Sequence, residues 1–323
     1  MSKQSSTKQA KTYHISCHCQ AHVLRLDIPN DTDTPSPFDQ GGVCDCSHCL
    51  KNRIVWGFAP PGTVSIVRGL GKDGAANLQE YRFGSKSYGH SFCGVCGTHV
   101  LGNAFDGDNK VTSFNFRAIR DTDFDLWKLP LVLYSGLDRE PAYKAITLSD
   151  IPNAEAYLSK LQKDETKPTK IYVGSCHCQA IMFAVRCQPL EEVHLCDCAC
   201  SICLGNGVIW LYPGRENVAY HPAAFPDTLF TPADGILTEY RFGKKINGHF
   251  FCKTCGSHVF ERSEQSFGLN IALLNEASGY LEDVLGLKAD RKSEDNRKVY
   301  TKLGGLDRND EDKYIEPHYA LRL

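Results

Sequence analysis

Apolar residues in this chain come in short runs broken by glycine, proline and charged residues, the signature of many short strands. Residues 54–58 (Ile-Val-Trp-Gly-Phe) and 208–212 (Val-Ile-Trp-Leu-Tyr) read as buried strands. Residues 64–67, 111–116 and 269–274 are further strand candidates. Few stretches carry the spacing of an amphipathic helix. One short helix is expected over 154–163, started by Asn153. The pattern predicts a mainly β protein built from short antiparallel sheets.

The strand pattern repeats. Tyr13-His14-Ile15-Ser16-Cys17-His18-Cys19 returns as Tyr172-Val173-Gly174-Ser175-Cys176-His177-Cys178. Glu80-Tyr81-Arg82-Phe83-Gly84 returns as Glu239-Tyr240-Arg241-Phe242-Gly243. Gly89-His90, Cys93, Cys96-Gly97 and His99 return as Gly248-His249, Cys252, Cys255-Gly256 and His258. All share an offset of 159, while Cys44-Asp45-Cys46-Ser47-His48-Cys49 and Cys198-Ala199-Cys200-Ser201-Ile202-Cys203 are 154 apart. The segment after the second cluster is therefore longer, around 225–236. Gly136-Leu137-Asp138-Arg139 returns late, as Gly305-Leu306-Asp307-Arg308, which places a further insertion in the charged run 288–298. The expected organisation is a first domain over 1–150, a linker over 151–170 and a second domain over 171–323. The two copies are expected to pack as a pseudo-dimer within one chain.

Composition narrows the chemistry. The 323 residues include 16 cysteines. Residues 1–11 carry no apolar run, which argues against a secretory signal, and no segment is long and apolar enough to span a bilayer. Cysteines in such a chain point to metal thiolates rather than disulfides, and the expected location is cytoplasmic. A net charge of -2 gives no electrostatic reason to expect nucleic acid, and a chromatin role lacks the basic segment it would need.

Each half carries CxC, CxCxxC and CxxCG. The outer pairs can close one tetrahedral zinc site each: Cys17, Cys19, Cys93 and Cys96, then Cys176, Cys178, Cys252 and Cys255. Gly97 and Gly256 suit a left-handed turn at those sites. The middle clusters leave three thiolates, so two readings stand. Either Cys44, Cys46 and Cys49 hold a zinc whose fourth position takes water or a substrate thiol, or another protein group closes a second staple. In the second half Cys196, at the position of Gly42, is a candidate to join Cys198, Cys200 and Cys203. Cys187 is an orphan of the core.

These motifs resemble the glutathione-dependent formaldehyde-activating (GFA) family, which includes centromere-protein-V relatives. The resemblance rests on Ser16-Cys17-x-Cys19, Cys44-x-Cys46-Ser47-x-Cys49 and Phe92-Cys93-x-x-Cys96-Gly97-Thr98, each repeated in the second half. It implies two tandem zinc-stapled β-tent domains with two zinc ions each, one structural and one catalytic. It also implies glutathione as co-substrate and carbon–sulfur lyase chemistry on a small-molecule thiol and aldehyde. The family is commonly a single domain, and here Ile202 stands where the first half has His48.

For proton movement the candidate is His48, with His90 and His99 behind it. His90 and His99 recur beside the outer clusters, where they are as well read as structural partners. Arg53 and Asn52 follow the first middle cluster and are candidates to bind substrate; Arg53 suits a glutathione carboxylate. Asn52 recurs as Asn206 and is equally read as a turn residue. The second hypothesis is a non-catalytic zinc-stapled module that binds thiols or proteins.

Overall fold

The computed structural model describes residues 11–28, 36–69, 77–103, 113–121, 124–136, 142–161, 168–190, 192–196, 198, 200–222, 235–264 and 266–275. Most of the expected longer segment 225–236, the expected insertion at 288–298, most of the charged linker and the 305–308 repeat lie outside these residues.

The first half runs β1 (Lys11–Ser16), β2 (Val23–Ile28), β3 (Gly41–Cys44), α1 (Ser47–Asn52), β4 (Val55–Phe58), β5 (Val64–Arg68), β6 (Leu78–Tyr81), β7 (His90–Cys93), β8 (His99–Gly102), β9 (Ser113–Asn115) and β10 (Leu131–Tyr134). A short helix, α2 (Ala154–Ser159), follows. The second half runs β11 (Lys170–Ser175), β12 (Met182–Cys187), α3 (Ser201–Asn206), β13 (Trp210–Leu211), β14 (Val218–His221), β15 (Leu237–Arg241), β16 (Gly248–Cys252), β17 (His258–Arg262) and β18 (Phe267–Asn270).

Each half holds two sheets. The first has β1-β2-β5 and the larger β10-β3-β4-β9-β8-β7-β6; the second has β11-β12-β14 and β13-β18-β17-β16-β15. Every ladder is antiparallel except β3 with β10. The mainly β architecture of short sheets with two cysteine tetrads is the one the repeats predict.

Alternation explains the cores. On β1 and β2, Tyr13, Ile15, Leu24 and Leu26 face Phe114, Phe116 and Val100 of the large sheet. Phe183 and Val185 face Val259, Phe260 and Leu269 in the second half. The cores also trade residues: Leu50 and Tyr81 pack into the second, Tyr240 into the first. Ala154 and Leu158 of α2 are buried with Ala184 of β12, so this piece of the expected linker packs on the second half.

Local differences from the sequence reading have physical causes. The expected strands at 111–116 and 269–274 end early, at Asn115 and Asn270, and turn into 3₁₀ segments Phe116–Ala118 and Ile271–Leu273. Asn115 Oδ1 accepts from the amides of Val55 (3.3 Å) and Arg117 (3.1 Å), and its Nδ2 donates to His99 O at 3.0 Å. Asn270 repeats the pattern with Ile209, Ala272 and His258 O. Asn153 does not cap α2 through its side chain; it sits at φ 62°, and the capping box lies upstream at Thr147 and Asp150. The CxCxxC stretches, read as loops, run into helices α1 and α3.

Asn115→Ala strands three buried backbone groups at once. It is expected to lower the unfolding free energy by about 3 kcal/mol, measured by chemical denaturation of the metal-loaded chain. Asn270→Ala should cost a similar amount.

Candidate metal centres

Cys17 and Cys19 sit on the β1–β2 turn, Cys93 and Cys96 on the β7–β8 turn, and all four sulfurs lie within 4.8 Å of one another. Cys17–Cys19 and Cys19–Cys93 are both 3.6 Å apart. That is far beyond a disulfide, about 2.05 Å, and close to the edge of a tetrahedron with metal–sulfur bonds of about 2.3 Å. The second tetrad, Cys176, Cys178, Cys252 and Cys255, has 3.6 and 3.5 Å sulfur pairs. Backbone amides aim at the sulfurs: His22 N at Cys17 (3.3 Å), Val95 N at Cys93 (3.4 Å), Ile181 N at Cys176 (3.3 Å). Gly97 (φ 71°) and Gly256 (φ 72°) take the expected left-handed turn. A side chain there would also strike the other half, since a Cβ on Gly97 lies 2.4 Å from His258 Nε2.

The middle cysteines form two further groups, Cys44/Cys46/Cys49 and Cys198/Cys200/Cys203, each within 4.8 Å. Among the described residues no fourth donor falls within that distance of all three sulfurs in either group. Helix α1 builds the first: Cys46 is its N-cap, with Sγ accepting from Cys49 N, and Cys49 lies in the first turn. Trp56 Nε1 donates to Cys49 Sγ at 3.3 Å, and Trp210 Nε1 donates to Cys203 Sγ at 3.2 Å. The sequence reading missed these donors, although both tryptophans stand seven residues after their cysteines.

Cys196 packs against the Cys198/Cys200/Cys203 cluster but is not among the sulfurs within 4.8 Å of one another. Its backbone pairs with Trp210 (2.9 Å both ways), as Gly42 pairs with Trp56. A side chain at Gly42 would strike Tyr134 of β10, at 2.5 Å. Cys187 lies half-buried at the core edge, its thiol pushed up to about 12 by burial.

His48 is fully buried beside Cys49, and its Nε2 has no partner. Its ring lies 4.3 Å from that of His90, 5.1 Å from His99 and 5.0 Å from His177. Burial, and then its histidine neighbours, hold it well below the ordinary imidazole value. Asn52 Nδ2 donates to His48 O (2.8 Å) and lies 3.3 Å from its Nδ1, so this residue orients His48. Its twin Asn206, facing Ile202, has both amide atoms buried without partners.

Arg53 is not placed to bind a substrate carboxylate. It is buried at the left-handed C-cap of α1 (φ 47°) and reaches Gly207 O across the halves at 3.4 Å. Helices α1 and α3 end face to face there, and Arg117 donates to both, at Arg53 O (2.7 Å) and Leu204 O (3.0 Å). Cations at converging carbonyl ends offset the partial negative charge of both helices.

The second half contributes to the first centre, which sequence reading did not foresee. His177 shares hydrogen bonds with Ser47 Oγ and Tyr81 Oη, both 2.9 Å. His18 does the same in reverse with Ser201 and Tyr240, both 2.9 Å. The only sequence signal was the recurrence of the same His, Ser and Tyr in both copies. The two halves thus exchange the same pair of histidine hydrogen bonds.

Fold and clusters define a β protein with two cysteine tetrads and two cysteine trios that could hold metal ions; sulfur-only donor sets at this spacing suit zinc. Among the described residues no helix is long and apolar enough to cross a membrane. No family profile matches the chain. A solved structure to which it is similar is the crystal structure of a Rhodobacter sphaeroides protein, a structural-genomics target, at 27% identity. The match covers 32% of this chain and 87% of that one, with a TM-score of 0.25.

Two measurements follow. Burial lowers His99 and His177 to about 4. The unfolded chain therefore binds protons between that value and about 6.5 that the folded chain refuses. Stability should be fully present above pH about 6.5 and fall as pH drops towards 4, by about 1 kcal/mol per histidine at pH 5.5. Denaturation of the metal-loaded chain at several pH values checks the sign. Separately, Trp56→Phe removes a donor to Cys49, so the cobalt-substituted chain should show its sulfur-to-metal charge-transfer band shifted to lower energy.

Proposed function

We propose that the chain is a zinc-dependent carbon–sulfur lyase of the GFA type, with its active centre at Cys44, Cys46 and Cys49. One observation supports this most: three clustered sulfurs without a fourth described protein donor, beside a buried His48 whose Nε2 has no partner. Two unmatched valences, one at a metal position and one on an imidazole, suit a ligand with a sulfur and an oxygen on one carbon. A hemithioacetal such as S-hydroxymethylglutathione has that shape.

The reaction is reversible: the carbon–sulfur bond breaks, the hydroxyl becomes a carbonyl, and the hydroxyl proton ends on the thiol, so no net proton is taken from solvent. Zinc held by the three thiolates would supply Lewis acidity and stabilise a thiolate leaving group. Asn52 donating to His48 Nδ1 fixes the neutral tautomer with its proton on Nε2. His48, itself fully buried, is then a hydrogen-bond donor to the substrate oxygen as charge shifts there. Half-buried Cys44 marks the exposed side of the cluster, since Cys46 and Cys49 are buried. The thiol partner is glutathione by the same resemblance, and the setting is cytoplasmic, as cysteines read as metal thiolates rather than disulfides imply.

The competing reading, a second staple in a non-catalytic binding module, rests on His90 Nε2 standing 3.6 Å from Cys49 Sγ. Cys49→Ser separates the two. Catalysis predicts that turnover of glutathione–aldehyde adducts, followed by mass spectrometry, falls at least a hundredfold while the melting transition stays within a few degrees of wild type. Cys96→Ser, in a tetrad, should unfold the first half. Equal unfolding by both variants would decide for the staple.

A further inference from the structure

The two central centres differ by one carboxylate. In the first half residue 102 is glycine, and a Cβ there would lie 1.9 Å from Tyr88 Oη, which fills the space. In the second half the same position is Glu261, buried on β17 and 7% exposed. Tyr212, at the position of Phe58, donates to Glu261 Oε1 at 2.5 Å. A carboxylate and its hydroxyl donor thus arrive together, and only in this copy. Among the described residues no lysine or arginine pairs with Glu261. A buried carboxylate with no counter-cation is costly. Its donor oxygen, the nitrogen of buried His249 and the sulfur of buried Cys203 all lie within 4.8 Å of one another.

We propose that Cys203, His249 and Glu261 hold a divalent cation of their own beside that of the Cys198/Cys200/Cys203 trio, with Cys203 Sγ bridging the two ions. Sulfur, imidazole and carboxylate together suit zinc or a similar borderline ion. Geometry decides for two ions rather than one: the five donor atoms do not all lie within 4.8 Å of one another, and only Cys203 Sγ belongs to both groups. Three thiolates and a carboxylate are four negative donors, which two divalent ions neutralise. The first centre has no carboxylate: one ion on three thiolates leaves a single negative charge and a place for a visiting ligand. On this assignment each ion of the pair has three protein donors, Cys203 counted for both. The inference rests on reading the cysteine trios as metal ligands.

Cadmium-113 NMR of the full chain, loaded with cadmium alone, tests it, because two ions sharing one sulfur split each other's signals. Five resonances are expected, one for each donor group, with two of them mutually split. Glu261→Gln should remove one resonance and the splitting, leaving the tetrad signals as a check on folding. Should that variant misfold, the wild-type splitting decides alone. Four unsplit resonances would overturn the bridged pair and leave the trios as metal sites. Two resonances, from the tetrads only, would overturn the bridged pair and the trio reading together.

Discussion

Within each half, the sulfur tetrad joins two sheets that share no hydrogen-bond ladder. Cys17 and Cys19 end the β1–β2 turn of the small sheet; Cys93 and Cys96 end the β7–β8 turn of the large one. Besides the tetrad, apolar side chains and a few polar contacts, such as His18 N to Thr98 Oγ1 and the Ile15–Ile119 bridge, hold these layers together, and sheets this small bury little core each. Sulfur–metal bonds at the tetrads would supply folding free energy directly. They would also fix the angle between the layers, and with it the position of β7, the strand that carries His90 to the central cysteines. The second tetrad does the same for β16 and His249. The geometry of the central centres therefore depends on the tetrads.

The tetrad turns reach further than their own half. The residue between the two cysteines of each CxC is a histidine that crosses to the opposite copy and bonds the serine and tyrosine there. One side of each central centre is thus set by the other half's staple. Cations at this junction are asymmetric. Lys51 of α1 donates to Ser175 O and Leu273 O, whereas its twin is Gly205, whose missing side chain makes room for Arg120 to reach Ser201 O. Both cations come from the first half.

What the sequence showed follows from how local each feature is. Cysteine spacing is nearly a local code: CxC and CxxCG put two sulfurs on one turn, so repetition alone sorts the tetrads from the trios. The strands were legible from their apolar runs, except where Asn115 and Asn270 end them with side-chain bonds to distant backbone. Helices α1 and α3, six residues each, have no propensity signal of their own; packing and caps hold them. Arg53 looked like a carboxylate ligand because it follows the cysteines. The left-handed cap turns it into the junction instead. His177, Trp56 and Glu261 act across distances that no spacing rule encodes.

Comparison of the copies shows what recurs at the junction and what differs at the centres. At the junction His18 and His177, Ser47 and Ser201, Tyr81 and Tyr240, His99 and His258 are kept in pairs, while Lys51 has Gly205 as its twin. At the centres the cysteine trios and their tryptophan donors recur, but other positions do not. His48 becomes Ile202, and Asn206, deprived of the imidazole that Asn52 orients, has both amide atoms buried and unpaired. An unpaired buried amide costs stability, so its persistence beside Ile202 fits a copy that once held a histidine there. Gly102 becomes Glu261 and Phe58 becomes Tyr212, a coordinated pair rather than random loss, since the hydroxyl bonds the carboxylate. The second centre thus lacks the His48-type imidazole and carries a carboxylate with its own hydroxyl donor.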